Sequence, residues 1–230
     1  MASGRLGPED PVSAAQQIDW PHRLVVIEGL IGVGKTTLAE RLAAAVGATT
    51  VFEQAHENPF LERFYRDPKA AAFPAQLFFL FQRARQLAAL RQQDLFAPVR
   101  IADYLLDKDR LFARVTLDDD EYALYEQVYA RLALEAPQPD LVVFLQAPVE
   151  VLLERIAQRG VRFEKYIDAE YLSRLNDAYT RFFHQYTASP LLIVNAGEID
   201  PVTDSRDFAE LFAAIRATRR GRHYLNPVRH

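Results

Sequence analysis

Gly29-Leu30-Ile31-Gly32-Val33-Gly34-Lys35-Thr36 is the stretch that decides the fold. It matches the pattern G-x-x-x-x-G-K-[ST] and stands between an apolar run, residues 24–28, and an amphipathic segment, the strand-to-helix context that the pattern requires. Its glycines permit unusual torsions and close approach, so successive N–H groups can surround phosphate oxygens at a helix N-terminus. The expected nucleotide-binding residues are therefore Gly29, Leu30, Ile31, Gly32, Val33, Gly34, Lys35, Thr36 and the adjoining Thr37. Lys35 should neutralise the β- and γ-phosphates of ATP or another nucleoside triphosphate. Thr36 should place its hydroxyl on the Mg²⁺ that bridges them.

Outward from this loop the chain alternates short apolar runs with longer amphipathic stretches, the pattern of a parallel sheet covered by helices on both faces. The expected strands are residues 24–28, 49–52, 99–102, 141–145 and 191–194. Asn58-Pro59 reads as an N-cap followed by proline, Pro74 as the opening of a second helix, and Pro148, Asp168 and Asp204 as further helix starts. The acidic run 118–121 reads as a solvated helix start. Residues 1–20, rich in Gly, Pro, Ser and Ala, read as a flexible extension, residues 21–218 as one domain, and the basic residues 219–230 as a solvated tail.

Composition narrows the function. Lys+Arg 27 against Asp+Glu 31 gives a net charge of −4, which disfavours a general nucleic-acid binder needing a basic face. With no cysteine among 230 residues, disulfides, thiolate metal sites and cysteine nucleophiles are excluded. No apolar run approaches the roughly 18 residues of a membrane helix and no signal pattern opens the chain. The expectation is a cytoplasmic protein with a small-molecule partner, neither nucleic acid nor membrane.

Ligands of open parallel sheets bind beyond the carboxyl ends of the strands. Glu53 and Asp103 follow two of the expected strands, so both carboxylates should project near the loop mouth. One can serve the metal and the other an acceptor hydroxyl; capping a turn is the plainer alternative for each. Along the next helix Gln76 and Arg83 share a largely apolar face with Leu80, Leu87 and Leu90. Left unpaired there, each would cost roughly 1–3 kcal/mol, so either a polar ligand or an internal network should satisfy them. Arg155, Arg159 and Arg162 recur at spacings of four and three on one helical face, suited to phosphate or to solvent. Gly160 after them is a candidate lid hinge.

Together these residues resemble the deoxynucleoside kinase family across about residues 23–215, and residues 57–85 are especially similar to its bacterial purine-nucleoside members. The resemblance implies a five-stranded parallel sheet with a helical lid, ATP-dependent phosphorylation of the 5′-hydroxyl of a deoxynucleoside, and a homodimer. It assigns Glu53 as catalytic base, Lys35, Arg155 and Arg159 as phosphate-binding catalytic residues, and Thr36 and Asp103 as the metal site. Gln76 and Arg83 would read the base, with Asp109 holding its amino group and the arginine. Tyr65 and Glu164 would hold the sugar 3′-hydroxyl, and residues 196–201 would contact the adenine of ATP. A third lid arginine of the family is Val161 here, with Arg162 displaced by one. Where the family writes Glu/Asp-Arg-Ser/Thr, this chain reads Asp103-Tyr104-Leu105. Lys108, four residues beyond Tyr104, is expected to supply the missing cation if the segment begins a helix. A nucleoside monophosphate kinase and a catalytically silent relative are the competing readings. Both sit poorly with intact Lys35, Thr36, Glu53 and Asp103 beside the Tyr65, Gln76 and Arg83 pattern.

Overall fold

The computed structural model describes residues 19–92, 99–132 and 137–226, with the side chains of Leu87, Leu90, Arg91 and Gln92 outside it. Residues 1–18 of the expected extension and 227–230 of the expected tail also lie outside the described residues. Six strands, β1 (Leu24–Gly29), β2 (Thr49–Val51), β3 (Arg100–Ala102), β4 (Leu141–Gln146), β5 (Leu191–Asn195) and β6 (Arg222–Leu225), form one sheet in the order β2-β3-β1-β4-β5-β6. Every neighbouring pair is parallel. Successive side chains of a strand point to opposite faces, yet Val25, Val26 and Ile27 of β1 and Leu141, Val142 and Val143 of β4 are all buried. Both faces of the sheet are therefore covered, which is why these strands read as unbroken apolar runs.

The helices are α1 (Lys35–Val46), α2 (Leu61–Arg66), α3 (Pro68–Gln92), α4 (Lys108–Thr116), α5 (Asp119–Leu132), α6 (Val149–Arg159), α7 (Ala169–Gln185) and α8 (Ser205–Ala217). On one side Arg41 of α1 lies over the Phe208 ring of α8, 4.2 Å from its centroid. Elsewhere α4 packs against α3 and α7. Phe183 of α7 stacks on Phe144 of β4 with centroids 4.1 Å apart, fixing that helix to the sheet.

The expected helix starts hold at Asp168, whose side chain accepts from Tyr171 N, and at Asp204, which accepts from Arg206 N and Asp207 N. Asp118 and Glu121 exchange side-chain-to-backbone bonds of 2.8 and 3.4 Å at the start of α5, a capping box. Two expectations need correction. Pro74 does not open a helix: α3 begins at Pro68 and carries Pro74 inside it. A proline there leaves the carbonyl four residues back without its helical donor; Arg63 Nη2 donates to that Ala70 oxygen at 2.8 Å and fills the gap. Asn58, expected as a cap, accepts from Phe60 N at 3.0 Å and donates to Ala75 O at 3.1 Å, tying the turn before α2 to the same helix.

The second correction is the sixth strand. Arg222–Leu225 belongs to the segment read as a solvated tail but pairs along β5. Arg222 Nη2 anchors it by donating to the carbonyls of Phe183, His184 and Tyr186. An edge strand with one neighbour and half-exposed side chains gives no apolar alternation to read, and its charges suit an edge.

Candidate active site

The site forms where the carboxyl ends of β1, β2 and β3 meet α1, α3 and α6. Gly34 takes a left-handed backbone (φ 99°) and turns the chain into α1 without a side-chain cap. Gly32 (φ 86°) does more than turn. A Cβ there would meet Leu152 O and Ile156 Cγ1 at 2.8 Å each, so its bare backbone is what lets α6 close on the loop. Gly32→Ala should therefore cost roughly 1–3 kcal/mol in backbone strain alone. A thermal melt should show a loss of about 2–4 °C per kcal/mol, together with weakened donor-nucleotide binding because α6 carries Arg155 and Arg159.

One cavity of about 420 Å³, within the usual range for small-molecule sites, joins this loop to the helices. It is lined by Gly29, Ile31, Gly32, Gly34, Lys35, Thr36 and Thr37 of the loop, with Asp103 and Arg155 bonded to that loop, and by Glu53, Arg159, Tyr65, Gln76, Arg83 and Glu164. Three expected residues do not line it. Leu30 and Val33 are buried behind the loop, and Leu30 contributes its carbonyl, which accepts from Lys35 Nζ at 3.0 Å. Asp109 is only 1% exposed and lies behind Arg83, to whose Nη1 it is paired. The 196–201 loop is also off the cavity wall; Ala196 O accepts from Arg155 Nη2 at 3.0 Å.

Charge is concentrated around Glu53. Arg83 Nη2 donates to its Oε1, and Lys108 Nζ donates to its Oε2 at 2.8 Å. Burial alone would raise the Glu53 pKa, but Lys108 and then Arg83 outweigh it and hold the carboxyl at about 2. Across the cavity, burial first and the Lys108 ammonium second bring Lys35 down to about 8. Lys108 therefore reaches the site as expected, although the geometric premise fails. Residues 104 and 105 carry no regular structure, residues 106 and 107 form a turn, and the helix begins only at Lys108. Tyr104 faces elsewhere: its OH donates to Gln86 Oε1 at 2.7 Å, and Gln86 Nε2 donates to Phe52 O at 3.1 Å.

Asp103 organises the loop side. Its Oδ2 accepts from Thr36 Oγ1 at 2.6 Å and its Oδ1 from Glu53 N at 2.8 Å. A hydroxyl and a carboxylate already in contact at the loop mouth are the oxygen donors that Mg²⁺ prefers. Among the described residues no cluster of three or more His, Cys, Asp or Glu could hold a metal. An ion there would need these two groups, the phosphates and water.

At the far end, Gln76 Nε2 donates to Thr116 Oγ1 at 3.2 Å. The Arg83 guanidinium sits 5.2 Å from the Phe79 ring and 5.3 Å from that of Tyr104. Both residues are thus paired within the protein, as the internal-network reading expects, and both also line the cavity. Tyr65 stacks on Phe163 with centroids 6.1 Å apart and rings within 9° of parallel. Glu164 closes the wall, accepting from Arg159 Nη2 at 2.6 Å and Nε at 3.1 Å. This pair spans Gly160, the left-handed C-cap of α6 (φ 67°). Arg162 points away, with its side chain 82% exposed.

Sequence reasoning missed Glu28. This 1%-exposed carboxylate accepts from Gly29 N at 3.1 Å, Leu105 N at 2.7 Å and Tyr179 OH at 3.0 Å, locking the start of the loop to the β3–α4 turn and to α7. An acid ending an otherwise apolar strand was the available signal. The aromatic lining of Phe79, Phe112, Phe163 and Tyr171 was also missed, since aromatics on helices are usually core.

Comparison with known proteins agrees with this arrangement. The family model described as deoxynucleoside kinase matches residues 25–218. Deoxyguanosine kinase of Bacillus subtilis (strain 168) is 35% identical over 198 residues, 84% of this chain and 95% of that protein. Deoxyadenosine kinase of Dictyostelium discoideum is 32% identical over 211 residues, covering 88% of this chain and 83% of the relative. Among solved structures, deoxyadenosine kinase from M. mycoides with bound dCTP superposes with a TM-score of 0.73 at 27% identity, over 84% of this chain and 98% of that one.

Proposed function

The chain belongs to the deoxynucleoside kinase family and phosphorylates deoxynucleosides, and from that premise we propose that it moves the γ-phosphate of ATP to the 5′-hydroxyl of a purine deoxynucleoside. The observation that carries this reading is a single cavity with phosphate-binding residues Lys35 and Thr36 at one end and Gln76, Arg83, Tyr65 and Glu164 at the other. Glu53 lies between them and takes the proton of the acceptor hydroxyl. Lys35, Arg155 and Arg159 neutralise the phosphates. Thr36 and the Asp103 carboxylate would hold Mg²⁺, which when bound would supply charge neutralisation to the phosphates.

Arg83 offers donors only, which suits the O6 and N7 acceptors of guanine, and the amide of Gln76 complements the adenine edge. Asp109 lies behind Arg83 and fixes it, while Gln76, whose Nε2 is given to Thr116, keeps its Oε1 to accept from a base amino group, whereas the O4 of thymine meets acceptor with acceptor there. Deoxyadenosine or deoxyguanosine is the first-choice substrate and deoxycytidine the second, in line with the names of the relatives. Specificity constants for all four deoxynucleosides test this. Thymidine is expected to be used at least ~10²-fold less efficiently than the best substrate, and thymidine as best substrate would overturn the assignment.

The proposed setting is the cytoplasm; no helix among the described residues is long and apolar enough to cross a membrane. The proposed assembly is a homodimer. Phe81 of α3 and Leu124 of α5, 46% and 49% exposed, are large apolar side chains that such a contact could cover.

A further inference from the structure

Glu53 has two carboxylate oxygens, and a cation occupies each: Arg83 on Oε1 and Lys108 on Oε2. An acceptor hydroxyl that is to give Glu53 its proton must take one of these places. The two cations are not equally free to leave. The Arg83 side chain is 3% exposed, its Nη1 is held by Asp109, and the rings of Phe79 and Tyr104 flank it. Lys108 is also buried, its side chain 7% exposed, but among the described residues it has one polar partner, Glu53, besides the Phe112 ring 5.5 Å from its ammonium. Glu53 itself is pinned: its N–H donates to Asp103, and the preceding carbonyl, Phe52 O, accepts from Gln86, which Tyr104 orients. The ammonium on its flexible stem is the movable member.

Resting on the kinase reading above, we propose that Lys108 is a catalytic residue that yields Glu53 Oε2 to the acceptor hydroxyl and turns its ammonium onto the transferring phosphoryl group. Lys108 lines the same cavity as Lys35 and Thr36, so the anion it gains lies within the site that it already faces. A phosphate group bearing more than one negative charge outbids a carboxylate that keeps Arg83. In the reaction the acceptor oxygen bonds to the γ-phosphorus. The bond from that phosphorus to the bridging oxygen breaks with its electron pair left on the nucleoside diphosphate, and the hydroxyl proton passes to Glu53. Lys108 gives up no proton and acts by charge alone. With Tyr104 bonded to Gln86, Lys108 is the cation that this segment brings to the acceptor.

The test compares Lys108→Met, which keeps the stem, with Lys108→Gln, which can still donate to Glu53, and with Lys108→Arg. The readouts are kcat and, separately, the calorimetric Kd of the best deoxynucleoside with no phosphate donor present. Met and Gln should each lower kcat by about 10²-fold, with nucleoside affinity equal to or tighter than wild type, because the hydroxyl no longer displaces an ammonium. Arg should recover kcat to within about tenfold of wild type. If Lys108→Met does not fold, Lys108→Gln carries the comparison. A neutral variant within about threefold of wild-type kcat, or one whose affinity falls in step with kcat, would overturn the proposal. Wild-type protein inactive on all four deoxynucleosides would instead overturn the kinase reading, a result distinct from an active wild type with an equally active neutral variant.

Discussion

Glu53→Gln is expected to lower kcat for deoxynucleoside phosphorylation by ~10²-fold or more while changing nucleoside affinity only modestly. Gln keeps the shape and one acceptor oxygen, so the hydroxyl can still dock. What it loses is the oxygen that accepts the proton as the new phosphorus–oxygen bond forms. A carboxyl held at about 2, chiefly by Lys108 and Arg83 against its burial, is a weak base. That suits a loose transition state, in which the hydroxyl surrenders its proton late and the carboxylate serves first as an orienting acceptor. The fold should survive the change, because Arg83 retains Asp109 and the Asp103 bond comes from the backbone N–H of residue 53. Steady-state kinetics beside calorimetry separate these terms, and turnover near that of wild type would remove Glu53 from the mechanism.

How much of this was legible depended on whether a signal lay in local sequence or in long-range pairing. The phosphate loop, the parallel strands and the acids beyond β2 and β3 follow from short motifs and apolar runs, and the structure brings Glu53 and Asp103 together through the bond from Glu53 N to Asp103 Oδ1. Gln76 and Arg83 were legible as polar residues on an apolar helical face, and the family resemblance implied the pairing of Arg83 with Asp109, but Thr116, the partner of Gln76 some 40 positions on in α4, was not legible. The helix around Pro74 was misread because its repair comes from Arg63, outside the helix. The β6 strand was misread because a polar edge strand carries no alternation. Lys108 was placed near the acceptor by a helical argument that does not apply, since the non-helical stretch 104–107, tied to Glu28 through Leu105 N, sets its position.

The second large effect concerns the sugar. Tyr65 and Glu164 face one cavity from α2 and from the short helical turn after α6, and the structure adds a feature that spacing could not reveal: Glu164 is held by Arg159 through two guanidinium nitrogens. The arginine proposed for the lid and the acid proposed for the sugar are thus one unit. A 3′-hydroxyl that donates to Glu164 is bound by a carboxylate already oriented, while Tyr65, braced by Phe163 and Tyr171, can offer its own hydroxyl to the sugar. Burial, with Glu164 among the neighbours that add to it, pushes the Tyr65 phenol well above its usual pKa, so it remains a donor. Removing the 3′-hydroxyl leaves these groups facing an empty place in a walled site. A 2′,3′-dideoxy analogue of the best substrate should consequently lose up to ~10⁴-fold in kcat/KM. Tyr65→Phe should narrow that discrimination by weakening only the natural substrate. Equal use of deoxy- and dideoxynucleosides by the wild-type protein would mean that Tyr65 and Glu164 do not hold the sugar, leaving Glu164 with the single task of fixing Arg159 across Gly160.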